Sequence, residues 1–151
     1  MSWVWILGAT KLLGLIVAAA LLTFLYAPTT EKRKLFVTAF FALPIAFVVA
    51  RLSSLIIYNP RPFVDGHMSA LIPHIPDNGF PSDHTLLAVT VAAIVYTHHK
   101  GVGSVLIVLS LMVGVGRVLT GVHHVIDVLG SIVIALSVTF VVVLIQRRLR
   151  V

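Results

Sequence analysis

The stretch VIDVLGSIVIALSVTFVVVLI, residues 125–145, contains a single ionisable side chain, Asp127. About 20 apolar residues in a helix cross the ~30 Å hydrocarbon core of a bilayer, so this stretch predicts a transmembrane helix. Further apolar stretches precede it at residues 4–26, 35–57, 85–97 and 105–119. We therefore expect an all-α, polytopic membrane helical bundle of about five transmembrane helices, forming one domain over residues 1–151.

The composition of the whole chain is typical of a membrane protein. Of its 151 residues 59% are hydrophobic and 11% are charged, whereas about 25% are charged in soluble domains. The mean hydropathy is +1.08. The chain has no cysteine, which excludes disulfides and thiolate metal sites. The first apolar stretch lacks a basic leader and a small-residue cleavage site, so we expect it to be a retained span.

The basic residues indicate the topology. Seven of them lie in the first and third connectors and in the tail: Lys32, Arg33, Lys34, Lys100, Arg147, Arg148 and Arg150. Because cytoplasmic loops carry an excess of Lys and Arg, we expect an N-out, C-in protein of the plasma membrane. These clusters do not form the continuous basic face that nucleic acid requires, so no nucleic-acid partner is expected despite the net charge of +6.

Most remaining polar residues lie on the predicted outer face, in the connectors 58–84 and 120–124. The longer connector holds five of the seven prolines and is typical of an ordered functional loop. The titratable residues expected on this face are His67, His74, His84, His123, His124, Asp65, Asp77, Asp83 and Asp127. Ionisable groups are costly near a bilayer, so their gathering at the ends of several spans predicts an active site there.

Three segments of this face contain the residues for chemistry: NPRPF at 59–63, FPSDH at 80–84, and GR at 116–117 followed by His123 and Asp127. His123 and Asp127 are spaced i and i+4, so the carboxylate can accept a hydrogen bond from one ring nitrogen. The other nitrogen then keeps a lone pair that can attack phosphorus. Asp127 also stabilises the imidazolium that develops.

The same segments offer the other groups that phosphoryl transfer needs. His84 is the candidate general acid and base, because a histidine with a pKa near ~6.5 can donate and then accept a proton. Arg61 and Arg117 provide planar, charged forks for the phosphoryl oxygens. Ser82 adds a hydroxyl and a backbone donor, and a helix beginning at Asp83 would direct its N–H groups at the same anion. The scheme requires no metal and no cofactor.

The ordered segments resemble the type 2 phosphatidic acid phosphatase superfamily, whose pattern is K-x6-R-P, P-S-G-H and S-R-x5-H-x3-D. The resemblance covers all five predicted spans. Within the superfamily, PDNGFPSDH at 76–84 is similar to bacterial undecaprenyl pyrophosphate phosphatases of the bacitracin-resistance type. The resemblance implies hydrolysis of a lipid-linked phosphate or pyrophosphate, undecaprenyl pyrophosphate above all, through a phosphohistidine at the outer interface. The lipid would enter sideways from the bilayer.

The chain departs from this pattern at three positions. Ser54 replaces the family lysine, and Arg51, one helical turn earlier, either reaches the phosphate in its place or pairs elsewhere in the bundle. Asp83 replaces the usual glycine and either caps the helix that follows or takes part directly in binding the substrate. Gly116 replaces the serine before Arg117, which removes a donor but allows close backbone approach.

The other polar residues are assigned lesser roles. Asp65, His67, His74 and Asp77 are expected to shape the long loop or to meet the substrate head group. His124 neighbours the proposed nucleophile, but the i, i+4 spacing to Asp127 favours His123. Lys11 lies inside the first span and either faces a polar cavity or snorkels to the interface.

Three alternative functions remain open from the sequence. The same chemistry could act on phosphatidic acid or phosphatidylglycerol phosphate. A metal-dependent hydrolase could use the outer histidines and aspartates, although Arg61 and Arg117 would repel a divalent cation and no His-Glu-x-x-His motif is present. An anion-gated transporter would need polar groups at mid-depth in several spans, where only Lys11 and Arg51 qualify.

Overall fold

A computed structural model describes residues 2–149 as six α-helices with no strand among them. The helices are α1 (Ser2–Thr10), α2 (Leu12–Tyr26), α3 (Thr29–Ile56), α4 (Asp83–His98), α5 (Lys100–Leu119) and α6 (Val125–Arg148). The predicted all-α class is confirmed. Arg150, which was predicted in the basic tail, lies outside the described residues.

The predicted spans correspond to helices of unequal length. Three helices, α3, α5 and α6, are long and apolar enough to cross a membrane, and α1 with α2 makes a fourth span if the 44° bend between them is part of one span. The bend falls at Lys11, inside a stretch predicted to be continuous. The remaining predicted span, residues 85–97, corresponds to α4. This helix has 16 residues, so it is about 24 Å long and shorter than the hydrocarbon thickness.

The short helix α4 is the centre of the bundle. It packs against α2, α3, α5 and α6, and residues from its first turn to its last are buried. Ala88 and Ala92 are fully buried, and their small side chains let the neighbouring helices approach closely. Side chains at the first turn of α4 are therefore surrounded by the ends of other helices.

Two predicted connectors are shorter in the structure than in the sequence analysis. α3 begins at Thr29, so the bases at 32–34 lie in its first turns and the connector 27–34 shrinks to two residues. α5 begins at Lys100, and only His99 separates it from α4. Lys and Arg are good helix formers, so the helices continue past the apolar stretches that marked the predicted spans.

The helix directions give the bundle two distinct ends. The site end comprises the N-termini of α4 and α6, the C-terminus of α5 and the loop 57–82. The basic end comprises the bases at 32–34, Lys100, Arg147 and Arg148. The long loop and the short connector 120–124 therefore meet at one end, as predicted, and the described basic clusters lie at the other.

Gly103 lies where the backbone of α5 comes very close to that of α4. A Cβ on this glycine would overlap the backbone of Tyr96, so Gly103→Ala must force the two helices apart. Overpacking typically costs about 1–3 kcal/mol, and more when backbone has to move. We expect the Tm of the purified protein in detergent to fall by several degrees.

Gly101→Ala is the matched control for this prediction. It lies in the same helix, and nothing is within 4 Å of its Cβ position. Alanine is the better helix former, so the Tm of this variant should stay unchanged or rise slightly. Equal melting temperatures for the two variants would contradict the close crossing of α4 and α5.

Candidate active site

His123 lies in the connector between α5 and α6 with 2% of its surface exposed. Its Nδ1 is 3.0 Å from the carbonyl oxygen of Gly79 and 3.4 Å from Oδ2 of Asp127. A carbonyl oxygen can only accept, so Nδ1 carries the proton and Nε2 keeps its lone pair. The predicted contact between His123 and Asp127 is present, but the shorter contact of Nδ1 is with a backbone carbonyl, and Nε2 faces the guanidinium of Arg61.

Asp127 is fully buried in the first turn of α6. The Asn59 side chain donates to Oδ1 at 2.7 Å, and the backbone N–H of His124 donates to Oδ2 at 2.8 Å. A buried carboxylate is tolerated only when its oxygens are hydrogen-bonded. Asn59 was not identified as a site residue from the sequence, although it directly precedes the Pro-Arg-Pro segment.

Arg61 is 95% buried and joins the long loop to the nucleophile. Its Nε donates to Asp77 at 2.6 Å and its Nη1 to the Val122 carbonyl at 2.8 Å. Nη1 is also 3.1 Å from Nε2 of His123. Burial raises the pKa of Asp77, but the hydrogen bond from Arg61 outweighs this and holds that pKa below its usual range. An anion bound to this guanidinium would lie directly beside the ring nitrogen that carries the lone pair.

Arg117 lies in the last turn of α5 with 2% of its surface exposed. Its Nε and Nη2 are buried and have no hydrogen-bond partner among residues 2–149. Buried donors of a charged group are costly to leave unpaired, so each such group calls for an explanation. A phosphoryl group bound between Arg117 and Arg61 would satisfy these donors.

The first turn of α4 supplies His84 and Ser82. His84 is partly buried, and Arg117, His123 and His74 are close enough to interact with it electrostatically. Ser82 is fully buried, and its hydroxyl accepts a hydrogen bond from Thr85 at 3.1 Å. Its backbone N–H donates to the carbonyl of residue 127 at 3.3 Å, so this predicted phosphate donor is already used within the protein.

Arg51 and Asp83 form an ion pair at the edge of the site. Nη2 of Arg51 is 2.9 Å from Oδ2 of Asp83, and both side chains are more than half exposed. Asp83 makes no capping hydrogen bond, because Ser82 occupies the N-cap position and the carboxylate turns towards α3. The capping interpretation was therefore wrong, and Arg51 pairs within the bundle. Direct phosphate contact by either residue stays a prediction.

The remaining outer histidines divide into two groups. Nε2 of His124 is 3.0 Å from Asp65, which also pairs with His67 at 2.6 Å. Asp65 and His67 thus have the predicted loop-shaping contacts, and His124, for which no such role was predicted, takes part in them. His124 thus faces away from the site. His74 instead packs edge-on against His123, with ring centroids 6.0 Å apart. The pKa of His74 is lowered by burial and by the positive charges of Arg61 and Arg117.

Two glycines allow close backbone contacts, one within the site and one between α5 and α1. A Cβ on Gly79 would lie 2.9 Å from Oδ2 of Asp127 and 3.1 Å from the Asn59 carbonyl, so only glycine lets this loop bring its carbonyl to His123. A Cβ on Gly116 would lie 2.8 Å from the backbone nitrogen of Ala9. The predicted close backbone approach at Gly116 is confirmed, and the partner is α1.

The surroundings of His123 determine its charge. Burial lowers its pKa, the hydrogen bond to Asp127 opposes this, and the charges of Arg61 and Arg117 lower it further. Below its pKa the imidazole binds a proton and loses its lone pair. We therefore expect an NMR titration of ¹³C-labelled histidine to give His123 a midpoint below ~6.5. A His123→Gln variant identifies the resonance, and a midpoint above that value would contradict this environment.

Comparison with known proteins assigns the family. Residues 53–150 match the PAP2 superfamily. Over 93 residues the chain is 38% identical to undecaprenyl-diphosphatase BcrC of Bacillus subtilis (strain 168). This alignment covers 62% of this chain and 48% of that protein. The chain belongs to the PAP2 superfamily, as the three motifs indicated. It spans about half the length of this relative.

Two solved structures have the same fold. Aquifex aeolicus LpxE superposes with a TM-score of 0.71 at 22% identity, over 93% of this chain and 81% of that chain. The first transmembrane PAP2-type phosphatidylglycerolphosphate phosphatase from Bacillus subtilis superposes with a TM-score of 0.65 at 26% identity, over 98% of this chain and 75% of that chain. Together with the long apolar helices, these similarities identify a multi-pass membrane protein.

Proposed function

We propose that this protein hydrolyses a lipid-linked pyrophosphate, converting undecaprenyl pyrophosphate to undecaprenyl phosphate and inorganic phosphate through a phosphohistidine. One arrangement carries the proposal. Nε2 of His123 lies 3.1 Å from the guanidinium of Arg61, and the buried Nε and Nη2 of Arg117 have no protein partner among residues 2–149. Nucleophile and anion-binding donors thus belong to one buried cluster.

In the first step, Nε2 attacks the terminal phosphorus. The N–P bond forms as the bond from phosphorus to the bridging oxygen breaks, and His84 gives its proton to the leaving lipid phosphate. Arg61 and Arg117 hold the equatorial oxygens, where the negative charge is spread in the transition state. Asp127 and the Gly79 carbonyl stabilise the positive charge that develops on the ring of His123.

In the second step, water releases the phosphate. His84, now neutral, accepts a proton from a water molecule as the water oxygen attacks phosphorus. The N–P bond breaks, its electron pair returns to Nε2 of His123, and inorganic phosphate leaves. His84 and His123 are then in their starting protonation states. No step is assigned to a metal, and the residues described include no cluster of three or more metal-ligating side chains.

A lipid substrate fits the position of this cluster at one end of the bundle. An open apolar groove of about 300 Å³ runs between α3 and α4 from Asp83 and is lined by Leu43, Phe47, Leu86 and Leu87. A prenyl chain could lie along it while the pyrophosphate reaches His123. We place the site on the extracytoplasmic face, because cytoplasmic ends carry the excess of Lys and Arg.

The nearest alternative substrates are phosphatidic acid and phosphatidylglycerol phosphate, the latter favoured by the similarity to a solved phosphatidylglycerolphosphate phosphatase. Phosphate release from each lipid in reconstituted vesicles distinguishes them, with the His123→Ala protein as the blank. We expect the highest kcat/KM with undecaprenyl pyrophosphate and unchanged release in excess chelator. Preference for a glycerolipid would reassign the substrate, and no release from any of the three would overturn the phosphatase proposal.

A further inference from the structure

A second groove opens at the basic end, far from the active site. It has a volume of about 330 Å³ and lies between α4 and α6, with Lys100 at the start of α5 at one end. Its mouth is formed by Lys100 at the start of α5 and Arg147 in the last turn of α6. Its walls combine the apolar side chains of Ala93, Leu136, Phe140, Val143 and Leu144 with the polar side chains of Tyr96, Thr97 and Thr139.

The mouth of this basic-end groove favours an anion. Four of the five Asp and Glu side chains lie at the site end: Asp65, Asp77, Asp83 and Asp127. The fifth, Glu31, shares the basic end but lies 3.2 Å from His99. Lys100 is held over the ring of Tyr96 at 4.5 Å, a contact that positions its ammonium group at the rim.

A buried hydroxyl without a partner lies deeper in the same groove. Thr139 is 3% exposed, and its Oγ1 has no hydrogen-bond partner among residues 2–149. Other buried hydroxyls donate to the carbonyl four residues earlier, as Thr90 does at 2.7 Å and Ser131 at 2.8 Å. Leaving such a buried donor unpaired is unfavourable, because the hydroxyl loses its hydrogen bonds to water without gaining another. An acceptor about 12 Å deeper than Arg147, at 1.5 Å per residue, would satisfy it.

We propose that this groove binds one anionic glycerophospholipid. Lys100 and Arg147 bind the headgroup phosphate, Thr139 donates to an ester carbonyl, and an acyl chain lies along Phe140 and its apolar neighbours. The groove presents two cations at its rim, apolar side chains along its walls and a hydroxyl donor about 12 Å below Arg147. These groups match the phosphate, an acyl chain and an ester group of such a lipid. The proposal does not depend on which phosphate ester the active site cleaves.

Lipid binding to the full-length protein in detergent tests the charged mouth. We would titrate it with dioleoyl phosphatidylglycerol or dioleoyl phosphatidylcholine and measure binding by native mass spectrometry. Each Lys or Arg near an anionic lipid contributes about 1 kcal/mol. The double variant K100Q/R147Q should therefore bind phosphatidylglycerol about 10-fold to 30-fold more weakly and lose its preference over phosphatidylcholine.

The matched control is R33Q/K34Q, which removes the same charge at the same end of the bundle but outside the groove. Its affinity for phosphatidylglycerol should stay within about twofold of the wild type, since exposed charges away from the lipid are screened. Equal losses in the two double variants would mean diffuse attraction and would overturn a specific site. An unchanged K100Q/R147Q protein would overturn it as well.

Thr139→Val tests the deeper contact independently of charge. Valine keeps the shape of threonine and removes the hydroxyl, so both ester lipids should bind several-fold more weakly while their affinity ratio stays the same. Thr139→Ser should restore most of the affinity. If Thr139→Val bound both lipids as tightly as the wild type, the placement of the ester group would be wrong.

Discussion

His123→Ala is expected to lower kcat for phosphate release by three orders of magnitude or more. Substituting the nucleophile removes the atom that bonds to phosphorus, and losses of up to about 10⁶-fold are known for nucleophiles of other hydrolases. Phosphate release from undecaprenyl pyrophosphate in vesicles measures the effect. The Tm of the variant must be recorded beside it, because alanine also removes partners of Arg61 and Gly79.

His124→Ala is the matched control for the nucleophile. The adjacent ring is turned to Asp65 at 3.0 Å, so its loss disturbs the loop but not the attacking atom. We expect a kcat within about fivefold of the wild type. Comparable losses in the two variants, or full activity in His123→Ala, would show that the wrong imidazole has been chosen.

Arg117→Leu is expected to separate activity from stability. The substitution removes donors proposed to bind the phosphoryl group, and losing one transition-state arginine costs about 10³-fold or more in related phosphoryl transfers. The same change removes a buried charge whose Nε and Nη2 have no protein partner among residues 2–149. Replacing such a charge by a hydrophobic side chain is often neutral or stabilising, so the Tm should not fall.

Two further substitutions sharpen this test. Arg117→Lys keeps the charge but loses the planar fork, so kcat/KM should fall about 100-fold, less than in the leucine variant. Arg148→Leu removes an arginine from the basic end and should leave kcat/KM unchanged. A large drop in Tm for Arg117→Leu, with activity falling only in proportion to the folded fraction, would indicate a structural role instead.

The convergence of distant residues was predictable because it follows from sidedness. Once the apolar stretches and basic clusters fix the direction of each helix, Arg61, His84, Arg117 and His123 must all fall at one end. The i, i+4 spacing then identifies Asp127. The structure adds that Arg61, Arg117 and His123 are nearly fully buried, a point that charge and position in the sequence do not indicate.

The contacts that orient the nucleophile could not be predicted in the same way. The carbonyl of Gly79 and the side chain of Asn59 reach His123 and Asp127 only because the long loop folds back over α6. A backbone carbonyl has no sequence signature, and the path of a proline-rich loop depends on tertiary contacts. Asp83 illustrates the same limit. The preference of aspartate for helix N-termini favours a capping role at the start of α4, whereas in the structure its carboxylate pairs with Arg51 on α3.

Helix ends were misplaced for a related reason. Hydropathy locates the part of a helix that lies in hydrocarbon, while the helix itself continues as long as its backbone hydrogen bonds are favourable. The bases at 32–34 and Lys100 therefore belong to α3 and α5 rather than to connectors. The bend at Lys11 has no marker such as proline or a glycine pair, and the apolar pattern runs through it unbroken.

Trapping the intermediate tests the central claim most directly. The protein is mixed with undecaprenyl pyrophosphate radiolabelled in its terminal phosphate and quenched within one turnover, and the phosphate bound to protein is tested for stability. The proposed mechanism predicts a label that is stable in base, lost in acid and absent from His123→Ala. A label that survives acid, or that remains in the His123→Ala protein, would contradict it.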